Sequence, residues 1–419
     1  MNIILGNVND NTVIYEPQWA GADRFINEKT EINQKYLNDV DCYRVNLNYV
    51  GNWKLETDIF EFFKPESLER LREGKCILVV DITLEGWSPK NSQITVSLHN
   101  SCVKHQIDPR KVYYFTSNHR EATCYSVFLY SQYNTLQANL NIVENIIISE
   151  LARTPATPID FVTQKSLCQK FHGDKIFLQL SRRNRSARIM ANHELYLNDL
   201  HIHAHVSQDR LTDFEVGQAY HEYCRSPYAP KGVTWQQIKK WNDDHLPYVV
   251  DYPDFGTNWA AENGTLKYHQ TLFSLVLETS MEDVGGTSLF LSEKTFKAIM
   301  HRHPLIIFGQ RGVNHFLRDL GFATYENYFD IAEFDFEVDH YKRYNLILKQ
   351  IKPLVKQLLN MPLKERIAWR FQHQQILEHN YHALVNSVHS VKLSERFHET
   401  VRSYFDGNFL SQFTPNPYQ

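Results

Sequence analysis

The sequence lacks the segments that would place it in a membrane or outside the cell. No apolar run approaches the roughly 20 residues of a membrane-spanning helix, and the opening MNIILGNVND has neither a basic start nor a long apolar stretch. No C-x-x-C pair occurs, which argues against a zinc ribbon and against a disulfide framework. These absences predict a cytoplasmic protein without a membrane span. The six cysteines are Cys42, Cys76, Cys102, Cys124, Cys168 and Cys224.

An excess of positive charge is also lacking. The formal net charge is −4 at pH 7, so the chain as a whole has no electrostatic attraction for nucleic acid or an anionic membrane. Any phosphate binding must come from a local cluster of basic side chains. The chain has 419 residues, 42% of them hydrophobic. Because single cores rarely grow beyond roughly 250–300 residues, this length predicts at least two domains.

Apolar runs in the first third of the chain predict an α/β domain. CILVVDITLEGW (76–87), VYYFTSN (112–118) and CYSVFLY (124–130) are typical of strands. RTPATP (153–158) carries two prolines and predicts a stiff linker between domains. We therefore assign residues 1–160 to an N-terminal α/β domain.

A second α/β domain is predicted after the linker. KIFLQLS (175–181) is strand-like, SARIMANHELYLND has helical spacing and HIHAHVS (201–207) is strand-like, which together predict a βαβ unit. About sixty irregular residues rich in Trp, Pro and Asp follow in this interpretation, before the strand-like LFSLVLETS. We assign residues 161–335 to this domain and 336–419 to C-terminal helices that pack back across the cleft between the domains.

The stretch SLFLSEKTFKAIMHRHPLIIFG predicts a loop, a helix and a strand in succession. Ser292 is a good N-cap, and Phe296, Ile299 and Met300 share one helical face. The helix is expected to end before Pro304, where PLIIFG begins a buried strand. Strands that alternate with helices predict a mainly parallel sheet in each half, with ligands at the carboxyl ends of the strands.

An arginine-rich segment, SRRNRSAR, follows one predicted strand and opens a helix. Several guanidinium groups beside the positive end of a helix repel one another and the helix dipole, so a bound anion explains them best. A diphosphate matches both the arginine forks and the free backbone N–H groups. The alternative is a solvated basic turn. The arginines concerned are Arg182, Arg183, Arg185 and Arg188.

Three further charged residues are expected near the same ligand. Glu278 ends the predicted strand FSLVL, and its alternative interpretation is an exposed acid in a loop. Glu293 and Lys294 lie in the first turn of the next helix, where lysine opposes the helix dipole. A carboxylate can accept the two hydroxyls of a ribose, and a lysine at a helix start can neutralise a phosphate. The pair therefore predicts a nucleoside diphosphate site.

These residues also carry a family resemblance. FSLVLETS followed by FLSEKTFKAIMHRHPLIIFG resembles the donor-site signature of the α1,3-fucosyltransferase family, in which a strand ending Phe-Glu-Asn precedes (Val/Ile)-Thr-Glu-Lys, a helix and a Pro-(Ile/Val)-x-x-x-Gly strand. It is also similar to uncharacterised glycosyltransferase-like proteins of phages and other viruses, which have a Gly-Phe turn and an upstream arginine-rich segment. The likeness covers about residues 175–330. If the source is viral, the expected location is the host cytoplasm.

The resemblance implies roles for individual residues. Arg188 would contact the donor diphosphate, Glu293 the ribose and Lys294 the phosphates, with Glu278 shaping the same pocket. The chain departs from the family pattern at Ser292, where threonine is usual, at the residue after Glu278, where threonine replaces asparagine, and in a long loop, MEDVGGTSL. These departures leave the sugar unidentified.

An inverting sugar transfer also needs a base to take the proton of the acceptor hydroxyl. Glu85 lies just beyond a predicted strand of the first domain, with Asp81 as the rival base and Trp87 able to stack on a sugar face. Structural roles are the alternative for both Glu85 and Trp87. The leaving diphosphate would be stabilised by Arg and Lys, so no cofactor or metal is required.

A histidine-rich predicted strand is a candidate metal site, but its surroundings argue against metal binding. In HIHAHVS the side chains of His201, His203 and His205 are expected on one face of a strand. No carboxylate or cysteine nearby completes a ligand set, so we predict a polar strand face and no metal.

The sequence as a whole predicts an α/β protein of two Rossmann-like domains in a GT-B arrangement with C-terminal helices. The expected function is inverting, metal-independent transfer of a sugar from a nucleoside diphosphate sugar, such as a GDP-fucose-like donor, to a hydroxyl acceptor such as a glycan. One alternative is a phage enzyme that glycosylates a modified DNA base, the only interpretation in which nucleic acid is a partner. Another is a non-catalytic protein that binds a nucleotide sugar or glycan.

Overall fold

The computed structural model divides the chain into two compact units. One contains residues 1–152 and 387–419, and the other contains residues 153–386. The division after residue 152 lies close to the predicted boundary at residue 160. The structure describes residues 41–46, 58–63, 65–81, 93–116, 127–130, 135–138, 141–144, 160–171, 174–181, 183–248, 250, 262–279, 281 and 289–385.

The first unit contains a parallel sheet. Its strands are β1 (Asp41–Asn46), β2 (Cys76–Asp81), β3 (Val112–Thr116) and β6 (Asn141–Glu144). They lie in the order β1-β2-β3-β6, and every pairing is parallel. Leu78, Val80 and Val112 are fully buried, which explains the continuous apolar runs, since both faces of a parallel sheet are covered.

Helices and a hairpin complete the described part of this unit. They are α1 (Pro65–Glu73), α2 (Gln93–Lys104) and the antiparallel pair β4 (Val127–Tyr130) and β5 (Thr135–Ala138). The predictions of strands beginning near residues 76, 112 and 124 are confirmed at β2, β3 and β4.

The second unit is built around another parallel sheet. Its strands are β7 (Phe177–Leu180), β8 (Ala204–Ser207), β9 (Phe273–Leu277) and β10 (Leu305–Phe308). They lie in the order β8-β7-β9-β10, again with parallel pairings throughout. Every residue of β9 and β10 is buried. The predicted α/β class with a parallel sheet in each half is confirmed.

Helices connect these strands and cover the sheet. They are α3 (Phe161–Phe171), α4 (Ser186–Leu197), α5 (Asp213–Arg225), α6 (Trp235–His245), α7 (Glu262–Gln270), α8 (Glu293–Met300) and α9 (Val313–Asp319). The helix predicted after Ser292 is confirmed as α8, since the Ser292 hydroxyl accepts a hydrogen bond from the Lys294 N–H. The expected strand PLIIFG is confirmed as β10.

The prediction of about sixty irregular residues before β9 was wrong, because α5, α6 and α7 occupy much of that stretch. Two of these helices begin with capping boxes. Thr212 and Glu215 exchange hydrogen bonds at the start of α5, and Thr234 and Gln237 do so at the start of α6. Each box satisfies backbone N–H groups at a helix start, and local hydrogen bonds therefore define these two helices.

Three helices end the described part of the second unit. They are α10 (His340–Asn360), α11 (Leu363–Phe371) and α12 (Gln374–Val385). A buried arginine anchors α11, since Arg370 Nη1 donates to the Thr271 carbonyl at 2.8 Å and Nη2 to the His301 carbonyl at 3.0 Å. The structure groups these helices with the second unit. Their packing across a cleft between domains stays a prediction.

Within the described part of the chain, no helix is both long enough and apolar enough to span a membrane.

Candidate functional site

The strand order of the second unit reverses between β7 and β9. β8 lies on one side of β7, whereas β9 and then β10 lie on the other. The chain segments that follow β7 and β9 therefore lead away in opposite directions. In open parallel sheets, ligands bind at the carboxyl ends of the strands where this reversal occurs. We call the carboxyl ends of β7 and β9 the switch point.

The first turn of α4 presents backbone N–H groups at the switch point. Its N-cap residue, Arg185, has an extended backbone and makes no side-chain cap hydrogen bond. Arg183 and Arg185 are exposed beside this helix start. Arg182 lies outside the described residues. A positive helix end flanked by exposed guanidinium groups is suited to bind an anion.

Arg188, by contrast, points into the protein. It is 2% exposed. Its Nε donates to the Glu278 carbonyl at 2.8 Å, and its Nη2 donates to Thr279 Oγ1 at 3.2 Å. The guanidinium therefore joins the first turn of α4 to the end of β9, across the switch point. The sequence predicted a phosphate ligand at this position, whereas the observed contacts are with protein groups of the neighbouring strand end.

Glu278 is fully buried and organises the start of α8. Its carboxylate accepts hydrogen bonds from the Ser292 N–H at 3.1 Å, from Thr295 Oγ1 at 2.6 Å and from the Thr279 N–H at 3.2 Å. The alternative interpretation, an exposed acid in a loop, was wrong. Hydrogen bonds from several donors stabilise a buried carboxylate. Glu278 thus fixes the position of the helix start that carries the Glu293–Lys294 pair.

Lys294 lies in the first turn of α8 and is partly exposed. Its ammonium group is 3.3 Å from the Ser292 hydroxyl. Glu293 begins α8, and its side chain lies outside the described residues. The structure therefore brings Lys294 to a helix start next to the end of β9, on the same edge of the sheet as α4. It does not test the predicted contact between Glu293 and a ribose.

The helix start after β10 is occupied by the protein itself. The buried Asp335 carboxylate accepts hydrogen bonds from the Asn314 N–H at 3.0 Å and from the His315 N–H at 3.1 Å, in the first turn of α9. These are the groups that an anion would otherwise contact. The helices α4, α8 and α9 follow the strands β7, β9 and β10, respectively. Within the described chain, Ser292 caps α8 and Asp335 caps α9, whereas no side chain caps the start of α4.

The N-terminal turn of α10 lies at the same edge of the sheet. Arg343 Nε donates to the carbonyl of Gly309, which directly follows β10, at 3.1 Å, and its Nη2 donates to the Met281 carbonyl beyond β9 at 2.5 Å. Arg343 is 1% exposed. These hydrogen bonds hold α10 against the carboxyl ends of β9 and β10, an arrangement that sequence reasoning did not predict.

This turn brings two further residues to the site. His340 Nε2 is 3.1 Å from Glu222 Oε2, on α5. The side chain of Ser186, the first residue of α4, also lowers the pKa of Glu222 and therefore lies close to its carboxylate. Sequence reasoning missed both Glu222 and His340, because they are far apart in the chain and neither belongs to a recognisable motif. Only the tertiary packing of α5 against α10 brings them together.

The predicted catalytic bases belong to the first unit. Asp81 is the last residue of β2, opposite Asn46 and Phe115 in the neighbouring strands. It therefore stands at the carboxyl end of a parallel strand, as expected. Glu85 and Trp87 lie outside the described residues. The assignment of the base to Glu85 or Asp81 stays a prediction.

The histidine-rich segment does not form the expected strand face. His201 and His203 belong to a 3₁₀ turn, Leu200–His203, and His205 lies in β8. The backbone therefore does not alternate regularly over the three residues. Within the described part of the chain there is no group of three or more His, Cys, Asp or Glu side chains arranged to hold a metal ion.

Comparison with known proteins adds no assignment. No family model matches the chain, and neither a curated protein nor a solved structure matches it. The resemblance to α1,3-fucosyltransferases therefore remains a prediction.

Proposed function

We propose that this protein is an inverting, metal-independent glycosyltransferase that transfers a sugar from a nucleoside diphosphate sugar to a hydroxyl group of a glycan. The observation that carries the proposal is the convergence of three features at the switch point. They are the uncapped start of α4, the exposed arginines Arg183 and Arg185, and the start of α8 with Lys294. Together they offer positive charge and backbone N–H groups to a diphosphate.

In this proposal the buried Arg188 and Glu278 build the site, and other charged residues bind the donor. Arg188 and Glu278 connect the first turn of α4, the end of β9 and the start of α8. Arg182, Arg183, Arg185 and Lys294 neutralise the diphosphate as the bond to the sugar breaks. Glu293 accepts hydrogen bonds from the ribose. A GDP-fucose-like donor is the member of this class that the sequence resemblance favours.

The acceptor would bind to the first unit, in a GT-B arrangement of two Rossmann-like domains. Glu85, or Asp81 at the end of β2, would take the proton from the acceptor hydroxyl. Trp87 would stack against a sugar ring.

The proposal is tested first by binding. Isothermal titration with GDP, UDP, ADP and dTDP should detect binding of at least one of them. At a hundred times its Kd, that ligand should raise the free energy of unfolding by about 2.7 kcal/mol, which a thermal-shift measurement would detect. Lys294→Ala should weaken that binding, because a charge-assisted contact contributes about 1.5–3 kcal/mol. Lys297→Ala, in the last turn of the same helix, is the matched control and should leave the affinity unchanged. A wild-type protein that binds none of the four would refute the proposal.

Catalysis is tested separately. Slow hydrolysis of the matching nucleotide sugar without acceptor, insensitive to EDTA, is the expected result. Binding without any turnover would favour a non-catalytic nucleotide-sugar sensor. Salt-dependent retention of the protein on duplex DNA would instead favour glycosylation of a DNA base.

A further inference from the structure

Glu222 and His340 form a pair in which a buried carboxylate holds a partly accessible imidazole. Their side chains are 5% and 17% exposed, respectively, and His340 Nε2 is 3.1 Å from Glu222 Oε2. Burial raises the pKa of Glu222, but hydrogen bonds from His340 and Ser186 and nearby positive charge lower it by more, so the net shift is downward. The carboxylate is therefore ionised at neutral pH and can stabilise an imidazolium.

The pair is held close to the start of α4. Glu222 lies next to both His340 and Ser186, the first residue of that helix, so its carboxylate connects the imidazole to the start of α4. The long helix α10 is fixed to α4 at two further points. Tyr341 Oη donates to Glu194 Oε1 at 2.6 Å, and Tyr344 Oη donates to a backbone carbonyl of α4 at 2.8 Å. The imidazole and the α4 start are thus parts of one packed structure.

Other charged groups around the pair already have protein partners. The Asp339 carboxylate accepts hydrogen bonds from Ser226 Oγ at 3.1 Å and from the Lys342 N–H at 2.8 Å. Lys342 forms an ion pair with Glu337 at 2.5 Å. Among the described residues, the ionisable groups that neighbour the pair include Arg225, whose charge lowers the pKa of Glu222, and Asp339, Tyr341 and Lys342, which are close to His340 in the chain.

We propose that His340, positioned by Glu222, binds a phosphate oxygen of the nucleotide at the start of α4 in its protonated form. The pairing with Glu222 uses Nε2, which leaves Nδ1 as the second donor of the ring. The imidazolium adds one positive charge beside the exposed arginines, on the side of α4 that faces α5 and α10. This inference rests on the proposed function, since it concerns the diphosphate of the same donor.

The test uses the full-length protein and the nucleoside diphosphate to which the wild type binds most tightly. Affinities are measured by isothermal titration at pH 6.0 and pH 8.0 for the wild type, His340→Gln and Glu222→Gln. We expect His340→Gln to weaken binding roughly tenfold to a hundredfold at pH 6.0, because it removes a charge-assisted contact with the phosphate. Glu222→Gln should also weaken binding, because it removes the carboxylate that positions the ring.

The control is His382→Gln, which removes the histidine of another His–Glu pair, with Glu378 on α12. Its affinity should equal that of the wild type at both pH values. Affinity of His340→Gln within twofold of the wild type at both pH values overturns the inference, even if its melting temperature falls, because the pair would then only join α5 to α10. Failure of the wild type to bind any nucleoside diphosphate is a different result and refutes the proposed function itself.

Discussion

At the residue scale, neighbouring charged side chains at the switch point have different environments. Arg183 and Arg185 are exposed, whereas Arg188 and Glu278 are buried and bound to protein groups. The sequence predicted that these residues meet, because the carboxyl ends of parallel strands share one edge of a sheet. It did not predict which of them point inward, since that depends on the packing of α4 against the end of β9.

This difference predicts that substitution of Arg188 mainly reduces stability, whereas substitution of Arg183 mainly reduces nucleotide binding. Arg188→Ala should lower the free energy of unfolding by about 2–3 kcal/mol, because it leaves the Glu278 carbonyl without its donor in a buried place. Arg183→Ala should change it by less than about 0.5 kcal/mol, as is usual for exposed side chains, while it weakens nucleotide binding. Urea unfolding and isothermal titration measure the two effects. Equal unfolding midpoints for the two variants would contradict the structural role of Arg188.

At the scale of elements, the groups that cap a helix start determine whether the helix can be predicted from the sequence and whether an anion can bind there. α5 and α6 each begin with a threonine followed three residues later by Glu or Gln, Thr212 with Glu215 and Thr234 with Gln237. That spacing is a capping-box signal. It was present in the sequence, but the abundance of Trp, Pro and Asp around it favoured an irregular interpretation. The cap of α9 could not be found in this way, because Asp335 follows the helix that it caps.

Two aspartates at opposite ends of α9 should therefore have opposite effects on stability. Asp335→Ala removes the acceptor for the N–H groups of Asn314 and His315 and should cost about 1–3 kcal/mol. Asp319→Ala removes an exposed acid from the negative end of the same helix, and should be neutral or stabilising by up to about 1 kcal/mol. Thermal unfolding of both variants at pH 7 checks the prediction, which fails if Asp335→Ala is as stable as the wild type.

At the scale of the whole molecule, the alternation of strands and helices predicted two α/β units with parallel sheets and a boundary near residue 160. The alternation did not predict the order β8-β7-β9-β10. A helix that follows a strand can lead the chain to either side of that strand, and the alternation of elements does not specify which side. The pairing of Glu222 with His340 was equally inaccessible, since it requires α5 and α10 to pack together. Local patterns therefore predict elements and strand ends, whereas strand order and distant pairs depend on the packing of the entire unit.

Buried histidines couple the stability of the second unit to pH. Burial lowers the pKa of His193 and of His269 from 6.5 to about 4, and lowers that of His303 well below its ordinary value. These rings are 1%, 4% and 0% exposed, respectively. Between pH 6.5 and about 4 the folded protein keeps them neutral, whereas the unfolded chain binds the protons. Protons thus favour unfolding across this window, and the stabilisation present above pH 6.5 is lost as the pH falls.

We therefore expect the free energy of unfolding to decrease below pH 6.5 by up to about 1.4 kcal/mol per pH unit for each such histidine. The loss should level off near pH 4 for His193 and His269, because the folded state then also takes up their protons. Urea titrations between pH 7.5 and 4.5 measure the slope. His193→Gln should make it shallower, whereas His221→Gln, at an exposed position on α5, should leave it unchanged. If His193→Gln has the slope of the wild type, His193 does not remain neutral in the folded protein.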